Sequence, residues 1–319
     1  MKPFFINADK DFHLEKERFF TVGEKDEITK LVADFYSENP FPNYQDFENI
    51  ADLTKILEGN EFLRIFKRYI GLGKKIIEVG SGTCQLSLAL SHGTNNFVVA
   101  LDPTRSSLDL GYEFSIKNNL KNCVFMHADI FSRPIKPETF DIVWCSGMLH
   151  HTKSPDLGYK IIHEWVKPGG FIVVGLYNRY GRFRTYFRKI VFKSFGKTIG
   201  RKLILLLDPY LRTDLSKAKQ DAWISDQYEH PVESSHTIDE AIRWFEETNV
   251  EYLFSVPSCD LSENDFENMF TVHSKGNFLT RFLAQVGMIF SAPGGEGGLF
   301  MIVGRKRESV SAKSATPDQ

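Results

Sequence analysis

Short apolar runs alternate with amphipathic helical patterns through the middle of the chain. Apolar runs bounded by turn residues are typical of strands buried in a parallel sheet, and the stretches between them have helical spacing. The sequence predicts five such strands, near residues 75–79, 97–102, 124–127, 140–145 and 171–176. This alternation predicts an α/β fold whose sheet is covered by helices on both faces.

Helical patterns precede this region. Apolar residues recur at helical spacing over residues 24–37 and again over 48–69, with a break at Gly59-Asn60. We interpret residues 1–73 as a helical cap. The loop at 39–44 is rich in proline and aromatic residues, so it is either a helix terminator whose rings pack on the core or a segment laid over a ligand.

After the fifth strand the chain departs from the alternation and later returns to it. A helix from Ala241, a sixth strand near 251–256 and a last strand near 299–304 are predicted. The predicted units are the helical cap (1–73), an α/β core (74–177 and 236–308), a basic helical insertion (178–235) and a disordered tail (309–319).

Composition and charge narrow the class of protein. The chain has 319 residues and a formal charge of −2, so the whole-molecule charge gives no reason to expect DNA binding. Its four cysteines are scattered without a CxxC pair, which disfavours a metal site and a disulfide framework. No apolar run reaches about 18 residues and no signal-peptide pattern is present, so we predict a cytoplasmic protein.

The first predicted strand ends in a glycine-rich turn. An apolar strand over residues 76–79 leads into Gly80 and Gly82, which allow positive φ and a close approach of backbone to ligand. Asp102 lies 20 residues beyond Gly82, at a strand end, where a carboxylate can accept hydrogen bonds from both hydroxyls of a ribose. A nicotinamide dinucleotide fold is disfavoured because Gln85 stands where that motif needs a small residue.

Five motifs stand in order along the chain. They are Glu78–Thr83, Asp102, Ala128-Asp129-Ile130, Phe140–Val143 with Leu149-His150-His151, and Val166–Gly170. Together they resemble the class I S-adenosylmethionine-dependent methyltransferases, of the small-molecule type with an insertion after the fifth strand. The resemblance covers residues 74–177 and, more weakly, 237–306. The chain departs from it at Cys84, where the family often has a third glycine.

The resemblance implies a fold, a cofactor and a set of cofactor-binding residues. The fold is a Rossmann-like, seven-stranded, mostly parallel sheet whose last strand lies antiparallel beside the sixth. The cofactor is S-adenosylmethionine, and the product is S-adenosylhomocysteine. Asp102 would bind the ribose hydroxyls, and Asp129 would accept from the adenine amino group, although it is also consistent with a helix cap. The implied cofactor-binding residues are Glu78, Gly80, Ser81, Gly82, Asp102, Pro103, Asp129, Ile130 and Ser146.

Two adjacent histidines follow the fourth predicted strand. The reaction that the resemblance implies needs a base only where the acceptor carries a proton whose removal limits the rate. Histidine titrates near neutral pH, so His150 and His151 are the candidate catalytic residues. The alternative is a histidine at a helix start that is bonded to the backbone. A metal pair is disfavoured because adjacent histidines do not share a helix face.

The insertion begins with a basic amphipathic helix. Residues 179–202 contain nine lysines and arginines and no acidic residue, with aromatic and aliphatic side chains at near-helical spacing. The pattern is consistent with a solvated face on a helix docked over the site, with peripheral membrane contact through 179–207, or with nucleic-acid contact. The run 203–207 is too short to span a membrane and indicates a lid helix or a dimer face, so the oligomeric state stays open.

The rest of the insertion supplies candidate substrate residues. Residues 225–237 are dense in groups that can orient a polar acceptor or simply form loop hydrogen bonds. The candidates are Tyr177, Tyr228, Glu229, His230 and His236. The favoured function is methyl transfer to an O, N or C atom of a small or lipid-like molecule. The alternatives are an RNA or protein methyltransferase that uses the basic insertion, and a non-catalytic protein that binds S-adenosylmethionine.

Overall fold

One sheet organises the protein. The computed structural model describes residues 3–38, 40, 49–213, 215–290 and 298–308; the predicted tail (309–319) and, apart from Pro40, the proline-rich loop (39–44) lie outside them. The strands in these residues are β1 (Phe12–Lys16), β2 (Phe19–Val22), β3 (Lys75–Val79), β4 (Phe97–Asp102), β5 (Cys123–Ala128), β6 (Phe140–Ser146), β7 (Val166–Tyr177), β8 (Val250–Val256) and β9 (Leu299–Lys306). Their order across the sheet is β1-β2-β5-β4-β3-β6-β7-β9-β8.

Helices connect the strands. They are α1 (Glu27–Glu38), α2 (Ile50–Gly59), α3 (Glu61–Ile70), α4 (Gln85–Ser91), α5 (Arg105–Lys117), α6 (Pro155–Glu164), α7 (Phe183–Leu207), α8 (Lys217–Ile224), α9 (Ile238–Glu247) and α10 (Phe278–Gly287). The predicted break at Gly59-Asn60 is confirmed. Asn60 ends α2 and starts α3, because its side chain accepts a hydrogen bond from the Leu63 N–H at 3.1 Å.

Most of the sheet is parallel. From β2 to β7, neighbouring strands pair in parallel, whereas β9 lies antiparallel between β7 and β8. The predicted α/β fold, with a mostly parallel sheet and an antiparallel last strand, is therefore confirmed. The chain moves from β3 to one side of the sheet and returns with β6 on the other, so the carboxyl ends of these two strands open a crevice.

The described residues form nine strands rather than the seven expected. The two additional strands, β1 and β2, belong to the N-terminal segment that we predicted to be helical, and β2 pairs in parallel with β5. Phe19 and Val22 of β2 are buried, as aromatic and β-branched residues at a sheet surface commonly are. The hairpin covers what would otherwise be the open edge of β5.

Alternate residues of the central strands face opposite layers of helices. In β3, Ile76 lies in the same buried cluster as Phe66 of α3, whereas Ile77 lies in the cluster that contains Tyr159 of α6 and Phe245 of α9. Both faces are therefore apolar, as a parallel sheet between two helix layers requires. Polar side chains that have a chemical role are left to the ends of the strands.

Cys84 closes the glycine-rich turn in place of a third glycine. It has a φ of 66° and immediately precedes α4. Its side chain fits because Gly111 of α5 stands opposite: a Cβ at residue 111 would lie 2.8 Å from both the Cβ and the Sγ of Cys84. The space that a glycine at residue 84 would give is thus provided by the neighbouring helix.

Gly111→Ala is expected to lower the free energy of unfolding by about 1–3 kcal/mol, because the new methyl group overlaps Cys84 and the Thr83 carbonyl oxygen. Adding Cys84→Gly should restore part of this loss, since glycine tolerates the positive φ and removes the overlap with the side chain. Urea denaturation of the single and double variants measures the coupling. Gly59→Ala is the matched control, because a Cβ there meets nothing within 4 Å. Equal losses with and without Cys84→Gly would contradict the steric explanation.

Candidate active site

A cavity of about 280 Å³ opens at the carboxyl ends of β3, β4, β5 and β6. Helix α1 and the insertion also contribute residues to its lining. All nine predicted cofactor-binding residues line it: Glu78, Gly80, Ser81, Gly82, Asp102, Pro103, Asp129, Ile130 and Ser146. Of the predicted catalytic and substrate residues, His151 and Tyr177 line it as well. Residues chosen from distant parts of the sequence are thus brought to one space.

The Asp102 carboxylate is oriented by two backbone donors. Its Oδ2 accepts the Gly82 N–H at 2.8 Å, and its Oδ1 accepts the Thr104 N–H at 2.7 Å. Burial raises the pKa of Asp102 to about 6. Each carboxylate oxygen has a second lone pair, so the group can still accept hydrogen bonds from a bound molecule.

Glu78 connects the end of β3 to the first turn of α4. Its Oε2 accepts the Ser87 N–H at 2.8 Å and the Ser87 hydroxyl at 2.5 Å. Burial raises the pKa of Glu78 to about 8, so the side chain is mostly protonated at neutral pH. The side chain therefore orders the turn between β3 and α4.

Gly80 keeps the turn close to the loop that follows β6. Its φ is 74°, and a Cβ at this residue would lie 2.4 Å from the Cβ of Met148. Met148 also lines the cavity. Any side chain at residue 80 would therefore separate the two loops.

Asp129 accepts two backbone hydrogen bonds. Its Oδ1 accepts the Phe131 N–H at 2.9 Å, which is the helix-cap arrangement that we considered as the alternative. Its Oδ2 accepts the Asp26 N–H at 3.1 Å and so joins the N-terminal segment to the end of β5. Burial raises the pKa of Asp129. The cap leaves lone pairs on both oxygens, so it is compatible with a role in binding adenine.

The two adjacent histidines have different surroundings. His150 is outside the cavity lining: its ring stacks on Tyr177 with 3.8 Å between centroids, and its Nδ1 accepts the Tyr177 N–H at 3.2 Å. His151 lines the cavity, and its Nδ1 lies 2.7 Å from the Val232 carbonyl oxygen. Because a carbonyl oxygen only accepts, Nδ1 of His151 carries the proton and Nε2 keeps a lone pair.

The charge state of His151 follows from its burial. Burial lowers the pKa of His151 to about 4, so the ring is neutral at pH 7. The ring of His230 lies against it, with 3.7 Å between centroids, and burial lowers the pKa of His230 to about 3. The pair is therefore a stack of two uncharged rings.

Hydrogen-bonding groups that α1 and the insertion contribute to the cavity lining converge on Asp226. The Tyr36 hydroxyl of α1 donates to Asp226 Oδ1 at 2.7 Å, and Gln227 Nε2 donates to Asp226 Oδ2 at 2.8 Å and to the Tyr177 hydroxyl at 2.9 Å. Asp226 and Gln227 lie on a π-helical turn, Ser225–Glu229. Such turns are frequent at functional sites.

Tyr36, Asp226 and Gln227 also line the cavity, although the sequence did not identify them as site residues. The signal for the last two was present, since they belong to the polar stretch 225–237 from which Tyr228 was chosen. Tyr36 gave no signal, because its position fits an ordinary amphipathic helix. It reaches the cavity only because α1 lies over the sheet edge.

Tyr228 and His236 lie outside the cavity lining. The Tyr228 hydroxyl donates to Asp208 Oδ2 at 2.7 Å within a buried cluster of the insertion. His236 lies between the Ser234 hydroxyl, 2.9 Å away, and the Glu240 carboxylate, 3.2 Å away. The contact of these residues and of His230 with a substrate stays a prediction.

Arg182 stands behind Tyr177 instead of on an open basic groove. The side chain is completely buried, its guanidinium lies 3.8 Å above the Tyr177 ring, and it donates to Glu233 Oε2 at 2.7 Å. Lys189 also donates to this carboxylate, at 2.8 Å. Within the described ranges, no group of three or more His, Cys, Asp or Glu side chains is placed to hold a metal ion.

The strand order and the cavity at the carboxyl ends of the parallel strands define a Rossmann-like fold. Residues 70–199 match the model of a family described as methyltransferase domain. This match covers less than half of the chain, and it agrees with the resemblance of the motifs to class I S-adenosylmethionine-dependent methyltransferases.

Individual relatives cover the chain only in part. The uncharacterized protein syc1184_c of Synechococcus sp. is 24% identical over 265 residues, which are 75% of this chain and 63% of that protein. The ubiquinone biosynthesis O-methyltransferase of Coxiella burnetii is 31% identical over 120 residues, which are 37% of this chain and 49% of that enzyme. The chain thus spans less than two thirds of either relative. The structure of PKMT2 from Rickettsia typhi with AdoHcy has a TM-score of 0.54 and is 13% identical in sequence. The superposition covers 75% of this chain and 50% of that one, and it shows a shared fold alone.

The residues present fit S-adenosylmethionine, the cofactor of this family. The molecule has ribose hydroxyls and an adenine amino group, and Asp102 and Asp129 offer it oriented acceptors with unused lone pairs. Gly80 and Gly82, both with positive φ, place bare backbone along the cavity.

The raised pKa of Glu78 should make the free energy of unfolding depend on pH. Its pKa of about 8 in the folded protein exceeds the ordinary value of 4.5, so the folded state binds more protons between these two values. The stability contribution is therefore complete below about pH 4.5 and is lost as the pH rises toward 8. The glutamine of Glu78→Gln stays neutral at every pH. As the pH rises from 5 to 8, the free energy of unfolding of this variant should therefore increase relative to that of the wild type by up to about 1.4 kcal/mol per pH unit.

Urea denaturation at several pH values across that range measures this difference. Glu113→Gln on the exposed face of α5 is the matched control, and its difference from the wild type should stay constant with pH. A constant difference for Glu78→Gln as well would refute the raised pKa.

Proposed function

We propose that this protein transfers a methyl group from S-adenosylmethionine to an oxygen or nitrogen atom of a small or lipid-like molecule. The observation that carries the proposal is the composition of one cavity. Its lining includes all nine residues of the predicted cofactor site, which we call the inner residues, and also His151, Tyr177, Tyr36 and Asp226, which we call the outer residues. Cofactor and acceptor would thus share a single space.

The inner residues would hold the cofactor. Asp102 would accept hydrogen bonds from the ribose hydroxyls, Asp129 would accept one from the adenine amino group, and Ile130 and Pro103 would flank the ring. The turn at Gly80 and Gly82 would carry the methionine end, with Ser146 near the sulfur. When bound, S-adenosylmethionine supplies a methyl group on a positively charged sulfur, which is an activated leaving group.

The outer residues would enclose and align the acceptor. The hydrogen bond from Tyr36 to Asp226 joins α1 to the insertion across the cavity. An enclosed acceptor is shielded from water and held in one orientation, which is most of what a displacement with an activated leaving group requires. A cavity of about 280 Å³ favours a small acceptor over RNA or a folded protein, and the burial of Arg182 leaves no basic groove at that residue.

The polar groups of the outer residues favour an acceptor atom that carries a proton. His151 Nε2 has a lone pair, and the Tyr36 oxygen keeps lone pairs after its proton is donated to Asp226. Groups that accept hydrogen bonds match a hydroxyl or an amine. A carbon acceptor would leave these buried groups without a partner.

His151 is the residue we assign as the general base. The bond from its Nδ1 to the Val232 carbonyl fixes the tautomer, so Nε2 can take the proton from the acceptor. Its pKa of about 4 keeps the ring unprotonated throughout the neutral range, and it also makes the ring a weaker base than an ordinary histidine. The related ubiquinone biosynthesis O-methyltransferase bears a name that accords with a hydroxyl on a lipid-like molecule as acceptor.

Asp102→Asn is expected to weaken S-adenosylmethionine binding at least about tenfold, because the ribose hydroxyls lose a charged acceptor. Isothermal titration calorimetry measures the Kd. The wild-type affinity should also fall below about pH 6, where the Asp102 carboxylate becomes protonated. Asp156→Asn on the surface of α6 is the control and should leave the Kd unchanged. Tight binding by Asp102→Asn would show that the cofactor site is assigned wrongly.

The activity itself is tested with small-molecule extracts, the wild-type protein and S-adenosylmethionine labelled in its methyl group. Mass spectrometry should detect at least one labelled product that is absent without protein. Cofactor binding with no labelled product from aqueous or lipid extracts would identify a non-catalytic binder and overturn the proposal.

With that acceptor in hand, His151→Gln is expected to lower kcat by about 10²–10⁴-fold, because the proton of the acceptor has no base to receive it. The Kd for S-adenosylmethionine, measured by calorimetry, should stay close to the wild-type value. His273→Gln, at a histidine outside the cavity, is the matched control and should retain full activity. Near-wild-type turnover by His151→Gln would exclude this residue as the base.

A further inference from the structure

Two helices, α7 and α10, expose large apolar side chains. On α7, Phe183, Phe187 and Ile190 lie at spacings that share one helix face, and 60–64% of each side chain is exposed. On α10 and the turn after it, Phe278 and Phe290 are 72% and 75% exposed. These two segments hold half of the exposed large hydrophobic residues in the described part of the chain.

The two helices adjoin each other. The Arg184 guanidinium of α7 lies 5.8 Å from the Phe290 ring, and the rings of Tyr180 and Phe282 are 5.4 Å apart. We call the exposed side chains of both helices the apolar patch: Phe183, Phe187, Ile190, Phe278, Leu279 and Phe290. The scattered exposed hydrophobics typical of a protein surface do not form such a stripe.

The surroundings of the apolar patch are positively charged. Residues 179–207 contain no acidic side chain, and the one charged side chain in residues 276–290, Arg281, is paired with Asp239 at 2.6 Å, so the positive charge comes from α7. Lys189 of α7 and Arg182, the residue just before this helix, are both neutralised by Glu233. The basic residues on the exposed side of α7 are Arg184, Lys193, Lys197 and Lys202, of which Lys197 lies 4.0 Å from the Glu229 carboxylate.

A break in α7 adds an exposed tip. Gly196 has a φ of 70° and a ψ of 170°, which interrupts the helix. Every residue from 193 to 199 is exposed, and the tip includes Phe195 and Ile199 as well as Lys193 and Lys197. Aromatic, aliphatic and cationic side chains are thus mixed at the most exposed part of the insertion.

We infer that the apolar patch and its cations form a docking surface for an anionic lipid bilayer. Aromatic and aliphatic side chains enter the boundary between headgroups and acyl chains, while lysine and arginine meet anionic headgroups. Among the described residues, no helix is long and apolar enough to cross a bilayer, so the contact lies in the interface plane.

Other occupants fit the surface less well. A second copy docked through the same face would set cations against cations, which disfavours association. A nucleic acid would use the cations but would bury little of the apolar patch. The bilayer satisfies both parts of the surface at once.

Docking would also place the cavity near the lipid. Gly298 of the β9 region contacts Gly181 at the start of α7, and the next residue, Leu299, lines the cavity. A lipid-like acceptor would therefore have a short path from the bilayer to the site. This last point rests on the proposed function, whereas the docking surface does not.

The test is sedimentation of the full chain with vesicles, without S-adenosylmethionine or acceptor. Vesicles of phosphatidylcholine with about one third phosphatidylglycerol should bind the protein at least about tenfold more tightly than phosphatidylcholine alone. High salt should weaken this binding. Failure to bind the anionic vesicles would overturn the inference and leave the proposed methyl transfer untouched.

Substitutions separate the two parts of the surface. Phe183→Ser/Phe187→Ser/Ile190→Ser should reduce vesicle binding at least about tenfold, and Lys193→Gln/Lys197→Gln/Lys202→Gln should remove the preference for anionic vesicles. The matched control is Leu14→Ser/Leu72→Ser/Val272→Ser, which removes three apolar side chains exposed elsewhere and should bind like the wild type. We call Phe183→Ser/Phe187→Ser/Ile190→Ser the Phe-Phe-Ile variant. If it bound vesicles as tightly as the wild type, the role of the apolar patch would be refuted.

Sedimentation velocity without vesicles examines self-association. The inference expects no dimer that depends on the apolar patch. A dimer lost in the Phe-Phe-Ile variant, together with no vesicle binding by the wild type, would assign the surface to a second copy instead.

Discussion

The hydrogen bond from the Gly82 N–H to the Asp102 carboxylate, 2.8 Å long, joins the ends of two neighbouring parallel strands. It can form because β3 and β4 pair in a register that sets Val79 beside Leu101. Since both faces of the sheet are buried under helices, the strand ends are where polar groups of adjacent strands can meet water or a ligand. The position of the cavity, and of the nine residues chosen for the cofactor, follows from this constraint.

The sequence contained enough information for the core and for one half of the site. Glu78, Asp102, Asp129 and Ser146 lie at or just beyond strand ends, so identifying the strands was enough to place them together. The choice between His150 and His151 was beyond the sequence, because it depends on where the Tyr177 ring and the Val232 carbonyl lie in space. The hairpin of β1 and β2 was missed because both strands are short and most of β1 is exposed.

The outer residues of the cavity were the hardest to predict, because they are far apart in the sequence. Tyr36 and Asp226 are 190 residues apart and meet only because α1 and the insertion both cover the same sheet edge. Helix α7 shows the same dependence on context. Its inner side holds the buried pair of Arg182 and Glu233 behind Tyr177, while its outer side exposes aromatic rings. The sequence predicts a basic amphipathic helix, but it does not show which lysines and arginines form ion pairs with carboxylates.

The hydrogen bond between Tyr36 and Asp226 joins parts of the chain that lie on either side of the segment that supplies the inner residues. The inner residues of the cavity, from Glu78 to Ser146, occupy one continuous piece of chain, whereas the outer residues come from segments that precede and follow it. Substitutions in α1 or the insertion can therefore rearrange the outer residues while the glycine turn and its partners stay as they are. The architecture separates the residues proposed to hold the cofactor from those proposed to face the acceptor, so selectivity can change without rebuilding the fold.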